Sequence, residues 1–130
     1  MSWSSALLAF LVSHAGGDVL LQTDWQAQNK AGGLGDDKVA RRALSRHLAT
    51  YTMAFLPALL WIGKDRGGGR AVSVGGLVAV PHLIIDDGRL VRAWTRQVKH
   101  ASEPPAGLLI AVDQSFHVIS LLGAALVAAR

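Results

Sequence analysis

Four apolar segments run through this chain of 130 residues, and each carries one histidine: His14, His47, His82 and His117. Three of these histidines have an aspartate four residues away, in the pairs His14–Asp18, His82–Asp86 and Asp113–His117. Four residues is just over one helical turn, so each pair projects from one face of a helix. Ionisable groups inside apolar helices are costly and usually functional. The pattern therefore predicts a polar, metal-binding site within a small all-α membrane protein.

The first segment runs from about Trp3 to Leu21 and contains Gly16-Gly17. The second runs from about His47 to Ile62, with a kink expected at Pro57, which lacks the helical donor. The third runs from about Ala71 to Ile85, with Pro81 beside His82 expected to bend or open the backbone. The fourth runs from about Gly107 to Ala129, and Pro104-Pro105 mark its start. A spanning helix needs about 20 apolar residues. Segments one and four meet that length, and segments two and three need flanking residues. The fourth shows no continuous polar face, as a helix of a soluble bundle would. The expected fold is a four-helix transmembrane bundle forming one domain over residues 1–130. Between segments three and four, Leu90, Val91, Trp94 and Val98 fall together among Arg89, Arg92, Arg96 and Lys99. Gly88 to Ala101 thus reads as a short amphipathic helix on the membrane surface.

Composition narrows the function. Half the residues are hydrophobic (51%), only 17% are charged, and mean hydropathy is positive, which leans towards the membrane class. With no cysteine, disulfides, iron–sulfur clusters and thiol catalysis are excluded, so a metal must be held by nitrogen and oxygen. The net charge of +4 lies mainly in the connections and lacks any nucleic-acid-binding signature, so membrane lipids are the expected partner and nucleic acid is not. The N-terminus has no Lys/Arg before its apolar run, which itself holds His14 and Asp18, so it reads as a retained helix and not a cleaved signal.

Lys30, Lys38, Arg41, Arg42 and Arg46 lie in the first connection, and Arg89, Arg92, Arg96 and Lys99 in the third. Lys64, Arg66, Arg70 and Arg130 lie on the other side. The positive-inside rule puts connections one and three in the cytoplasm and both termini outside it. All seven His and Asp residues then fall in one layer on the side of connections one and three. That coincidence is the strongest sequence argument for a single site.

Neutral imidazole and carboxylate suit zinc, manganese or iron. His14, Asp18, His47, His82, Asp86, Asp113 and His117 are the candidate ligands, enough for one or two divalent transition metal ions, zinc among them. Asp18, Asp86 and Asp113 are the candidate catalytic carboxylates. Gln22, Asp24 and Gln114 flank the layer as candidate substrate or supporting residues. Asp87 is expected to face solvent or cap the surface helix, and His100 reads as an ordinary exposed loop histidine. Gly123, Ala124, Ala125 and Ala128 would permit close helix contact within the chain, in a homo-oligomer, or with a larger membrane complex.

The run His14-x-x-x-Asp18-x-x-Leu21-Gln22-Thr23-Asp24-Trp25 … Lys30, then His47, His82-x-x-x-Asp86 and Asp113-Gln114-x-x-His117, resembles the bacterial membrane family known as domain of unknown function 3307. The resemblance covers nearly the whole chain and implies no assigned activity. A lysine often follows the third-helix motif in that family; here Asp87-Gly88-Arg89 stands in its place. The chain is more loosely similar to membrane-bound metal-dependent hydrolases, a likeness of fold and not of mechanism.

The leading expectation is a metal-dependent hydrolase acting on a lipid or other membrane-embedded substrate at the bacterial inner membrane. Two alternatives remain at this level: a proton or ion pathway without stoichiometric metal, and a haem-binding or structural subunit of a larger complex.

Overall fold

Most helix starts follow from a local device. The Ser2 hydroxyl accepts from the Ser5 N–H and opens α1, Trp3–Ala15. Thr23 and Gln26 form a reciprocal capping box at α2, Asp24–Asn29. The Asp37 carboxylate accepts from the N–H groups of Val39 and Ala40 and opens α3, Lys38–Ala54. Pro57 sits in the first turn of α4, Leu56–Arg66, where its missing N–H costs nothing. Gly67, at φ +90°, separates α4 from α5, Gly68–Asp86, and Gly88, at φ +78°, turns the chain into α6, Arg89–Gln97. The last helix, α7, is Ala106–Ala129. The computed structural model describes residues 1–130, all-helical with no strand.

Helices α1, α5 and α7 and the α3–α4 pair pack into a four-membered bundle, with α7 against both α1 and α5, and α4 against α5. Phe10, Tyr51, Phe55, Ile62, Val74 and Leu121 are fully buried at its centre. Ala124, Ala125 and Ala128 are also buried there, so the small face of α7 is used within the chain. At one end the Met1 ammonium meets Asp65 at 2.9 Å, Arg66 donates to the Met1 carbonyl, and Arg70 donates to that of Val127. Both termini and the α4–α5 connection therefore share an end. At the other end the Asp87 carbonyl accepts from Gly32 N–H and its carboxylate from Leu34 N–H, tying the glycine-rich loop to the α5–α6 turn.

Several expectations need correcting. Only α5 and α7 are long and apolar enough to cross a membrane, not four segments. The first segment is a 13-residue α-helix followed by a π-helical turn, Gly16–Leu20. The second begins at Lys38, so the basic run Lys38 to Arg46 is helical, and its break falls at Phe55, because Pro57 starts a new helix and does not kink an old one. The third continues through Pro81 without opening. Asp87 is 2% exposed and does not face solvent. The surface helix is present as α6, but its apolar residues divide: Val91 packs inward with Ile85 and Val112, while Leu90, Trp94 and Val98 are exposed.

Candidate metal centre

Four helices and the π-helical turn deliver the polar residues to the end of the bundle opposite the termini. His14 comes from the last turn of α1, Asp18 from the π turn, His47 from the middle of α3, His82 and Asp86 from the end of α5, and Asp113 and His117 from α7. The π turn is closed by Leu21 N–H donating to the Gly16 carbonyl at 3.0 Å. It lies against α3 because Gly17 has no side chain: a Cβ there would stand 2.6 Å from the Tyr51 ring. Tyr51 in turn stacks flat on His82, with ring centroids 3.4 Å apart and planes 9° apart.

At the centre, His47 Nε2 lies 2.9 Å from Asp86 Oδ2, 3.0 Å from His82 Nε2 and 3.2 Å from Asp18 Oδ1. His82 Nε2 lies 3.1 Å from Asp86 Oδ2 and 3.7 Å from Asp18 Oδ1. Ligands about 2.0–2.1 Å from a tetrahedral zinc are separated from one another by roughly 3.3 Å. The observed spacings bracket that edge. One proton can join the two Nε2 atoms, but the nitrogen left without it then turns its lone pair on Asp86 Oδ2 at 2.9–3.1 Å, a repulsion that a cation among them would relieve.

His117 is the ring best prepared to ligate. Its Nδ1 lies 3.0 Å from the Asp113 carbonyl and 3.4 Å from Asp113 Oδ2, both acceptors, so the proton sits on Nδ1. Its buried Nε2 then offers a lone pair with no hydrogen-bond partner, 3.5 Å from Asp86 Oδ1. Asp86 thus turns one oxygen to His47 and His82 and the other to His117. Asp18 Oδ1 is likewise buried and unpartnered. The Nδ1 atoms of His47 and His82 also lack partners, so these two rings miss the outer acceptor that usually orients a metal-bound histidine.

The remaining predicted residues take distinct places. His14 has both nitrogens engaged, Nδ1 with the Tyr51 hydroxyl at 3.2 Å and Nε2 with Gln114 Oε1 at 3.1 Å, and it lies 3.4 Å from Asp18 Oδ2. Asp113 is half-buried at the rim, where it orients His117. Gln22 accepts from Lys30 at 2.8 Å and lines a cleft beside the cluster. Asp24 is exposed and binds Gln28, so it does not join the site. His100 lies exposed in the loop before α7.

Two participants were absent from the sequence-based site. The Lys30 ammonium lies 2.7 Å from Asp86 Oδ2, on the oxygen shared by His47 and His82. Its place between Gln22 and the glycine-rich loop was the available signal, since Lys30 ends the motif run. Tyr51 is one turn beyond His47 on the same helix face, a spacing that would have exposed it. Outside the bundle, burial alone would raise the Asp87 pKa, but the Arg89 guanidinium at 2.6 Å and the Leu34 N–H outweigh it and hold the carboxyl below the usual carboxylate range.

Fold and site together define a small all-helical protein, with two helices apolar enough to cross a membrane, built around a buried His/Asp cluster that could hold a metal ion. The chain belongs to a family described as protein of unknown function (DUF3307), whose model matches residues 6–129. No curated protein and no solved structure matches it.

Proposed function

We propose that this is an integral membrane protein whose His/Asp cluster holds one or two divalent transition metal ions, zinc fitting the donor set, and hydrolyses an ester or phosphoester of a membrane-embedded substrate. In this reading α1 with its π turn and the α3–α4 pair would cross as composite segments beside α5 and α7, the two helices long and apolar enough to cross alone. Both termini lie outside the cytoplasm, and the cluster lies near the cytoplasmic face of the bacterial inner membrane. The surface supports the membrane reading. The apolar windows of α5 and α7 are only 22% and 28% buried, whereas core helices of soluble proteins are mostly buried. Val12, Leu60, Val72, Ile119 and many other large apolar residues face outward. The 18 residues from Trp3 to Leu20 would reach about 27 Å as a helix, close to the hydrocarbon thickness.

The observation that carries the chemistry is the meeting of His47 Nε2, His82 Nε2 and Asp86 Oδ2 at ligand-to-ligand spacing in a buried place, with Asp18 Oδ1 beside them. A bound divalent ion would supply water acidified to near neutral pH and polarise the substrate oxygen. Asp86 and His117 serve as ligands, and Asp113 keeps the His117 tautomer. Asp18, 12% exposed beside the cleft, takes the proton from the attacking water. The water oxygen bonds to the carbonyl carbon or phosphorus, the bond to the leaving alcohol breaks, and Asp18 returns the proton to that alcohol.

A proton pathway would need polar groups along the bundle. Instead, the core beyond Tyr51 is Phe55, Ile62, Val74, Leu121 and their apolar neighbours. Axial haem ligation needs two nitrogens on opposite faces of a macrocycle, and His47 and His82 are too close.

The test is elemental analysis of detergent-purified protein beside His82→Ala, Asp86→Asn and His100→Ala. One or two equivalents of metal, lost in the first two variants and kept in the third, supports the centre. Metal-free wild-type protein after chelator-free purification overturns it. Metal-loaded protein that hydrolyses no ester or phosphoester lipid overturns the hydrolase assignment.

A further inference from the structure

We infer that the cleft beside the cluster seats the phosphate headgroup of an anionic phospholipid, with Arg92 as the phosphate ligand and the acyl chains leaving over Val19 and Ile110. The inference deepens the function proposed above and rests on its membrane reading. The cleft has a volume of about 700 Å³, far more than water or an ion needs and within the range of small-molecule sites. Asp18 and Asp86 lie in its lining with Lys30, and α6 contributes Arg92.

Arg92 stands apart from the cations around it. Lys30 is held by Asp86, Arg89 by Asp87, and Arg41 by the Gly35 carbonyl. The Arg92 side chain makes no ion pair or hydrogen bond, although it is only half-exposed. Its guanidinium folds back over Gly88, where a Cβ would stand 2.9 Å from Nη1. A planar fork of free donors in a cleft matches phosphate oxygens, which accept in pairs. Apolar side chains line the cleft as well. Val19 and Ile110 are among them and are 75% and 62% exposed, so the cleft is edged by outward-facing apolar surface. A water-soluble phosphate has no use for such an edge, whereas a lipid needs both halves.

Binding to the full chain in detergent tests this, with dioctanoyl phosphatidic acid, dioctanoylglycerol and glycerol 3-phosphate as probes. Arg92→Gln is compared with Arg96→Gln, an exposed arginine of α6 outside the cleft. Phosphatidic acid is expected to bind wild type and Arg96→Gln at least ten-fold tighter than either half-molecule, and Arg92→Gln to lose that preference. Equal binding of dioctanoylglycerol, equal binding of glycerol 3-phosphate, or an undiminished preference in Arg92→Gln each overturns the inference. Metal content is read on the same samples. Its absence would overturn the proposed metal centre alone, and the Arg92-dependent preference would still decide this one.

Discussion

Gly17→Ala tests whether the π turn sets the geometry of the cluster. The new Cβ would stand 2.6 Å from Tyr51 Cδ2 and 3.2 Å from Tyr51 Cα. The ring is fully buried against His82, and the Cα belongs to the last turn of α3, where it joins α4, so neither can yield without moving the helix or the stack. Overpacking of this kind costs about 1–3 kcal/mol. Replacing a helical glycine with alanine returns about 0.5–1 kcal/mol. The expected net loss is centred on about 1 kcal/mol, since those ranges differ by about 0–2.5 kcal/mol. Gly16 is the internal control, since nothing lies within 4 Å of its Cβ position and its backbone is ordinary right-handed helix. Gly16→Ala should gain about 0.5 kcal/mol. The two neighbouring substitutions therefore move the thermal midpoint in detergent in opposite directions. Displacing Tyr51 also tilts His82, so zinc affinity should fall about ten-fold in Gly17→Ala and stay constant in Gly16→Ala. Equal stability and equal zinc affinity in the two variants would refute the argument.

Lys30→Met removes the cation on Asp86, so the metal-free protein should lose about 3 kcal/mol, while zinc, relieved of its competitor, should raise the melting temperature more than in wild type; a smaller zinc-induced rise would sink this. His117→Ala should abolish stoichiometric zinc, whereas His14→Ala, removing a ring already bonded to Tyr51 and Gln114, should weaken it about ten-fold; titration with a competing chelator separates the two. Asp87→Ala strands the Leu34 N–H and frees Arg89, at a cost of about 2 kcal/mol after discounting the exposed arginine, read by denaturation. Because the Asp87 pKa is depressed in the folded state, its contribution is complete above the ordinary carboxylate value near 4 and is lost as pH falls through the lower, folded value. Wild type should therefore lose its advantage over Asp87→Ala only in acid, and an advantage that persists unchanged there would count against the assignment.

Much of the site was legible because helical spacing is local. Each His-x-x-x-Asp or Asp-x-x-x-His pair projects from one helix face, and all three pairs do meet at 3.1–3.4 Å. Lone His47 was legible only through its layer, and it is the residue on which both central carboxylates converge. Asp24 lies outside the cluster because α2 leaves it exposed, and Asp87 is buried by a glycine-rich loop that lies more than fifty residues earlier in the chain, which no local pattern records. The place of Lys30 on Asp86 likewise depends on a contact across 56 residues.

The all-helical class, the apolar helices α5 and α7, the amphipathic α6 and the residue types of the centre can all be read from the chain. All of these depend on composition and on periods of three to four residues. Folding settles the rest: the first segment ends in a π turn, Gly17 admits Tyr51 beneath His82, Asp86 faces three histidines, and Arg92 is left without a partner. Those outcomes depend on which atoms distant segments bring within 4 Å, and no local pattern in the chain records that distance.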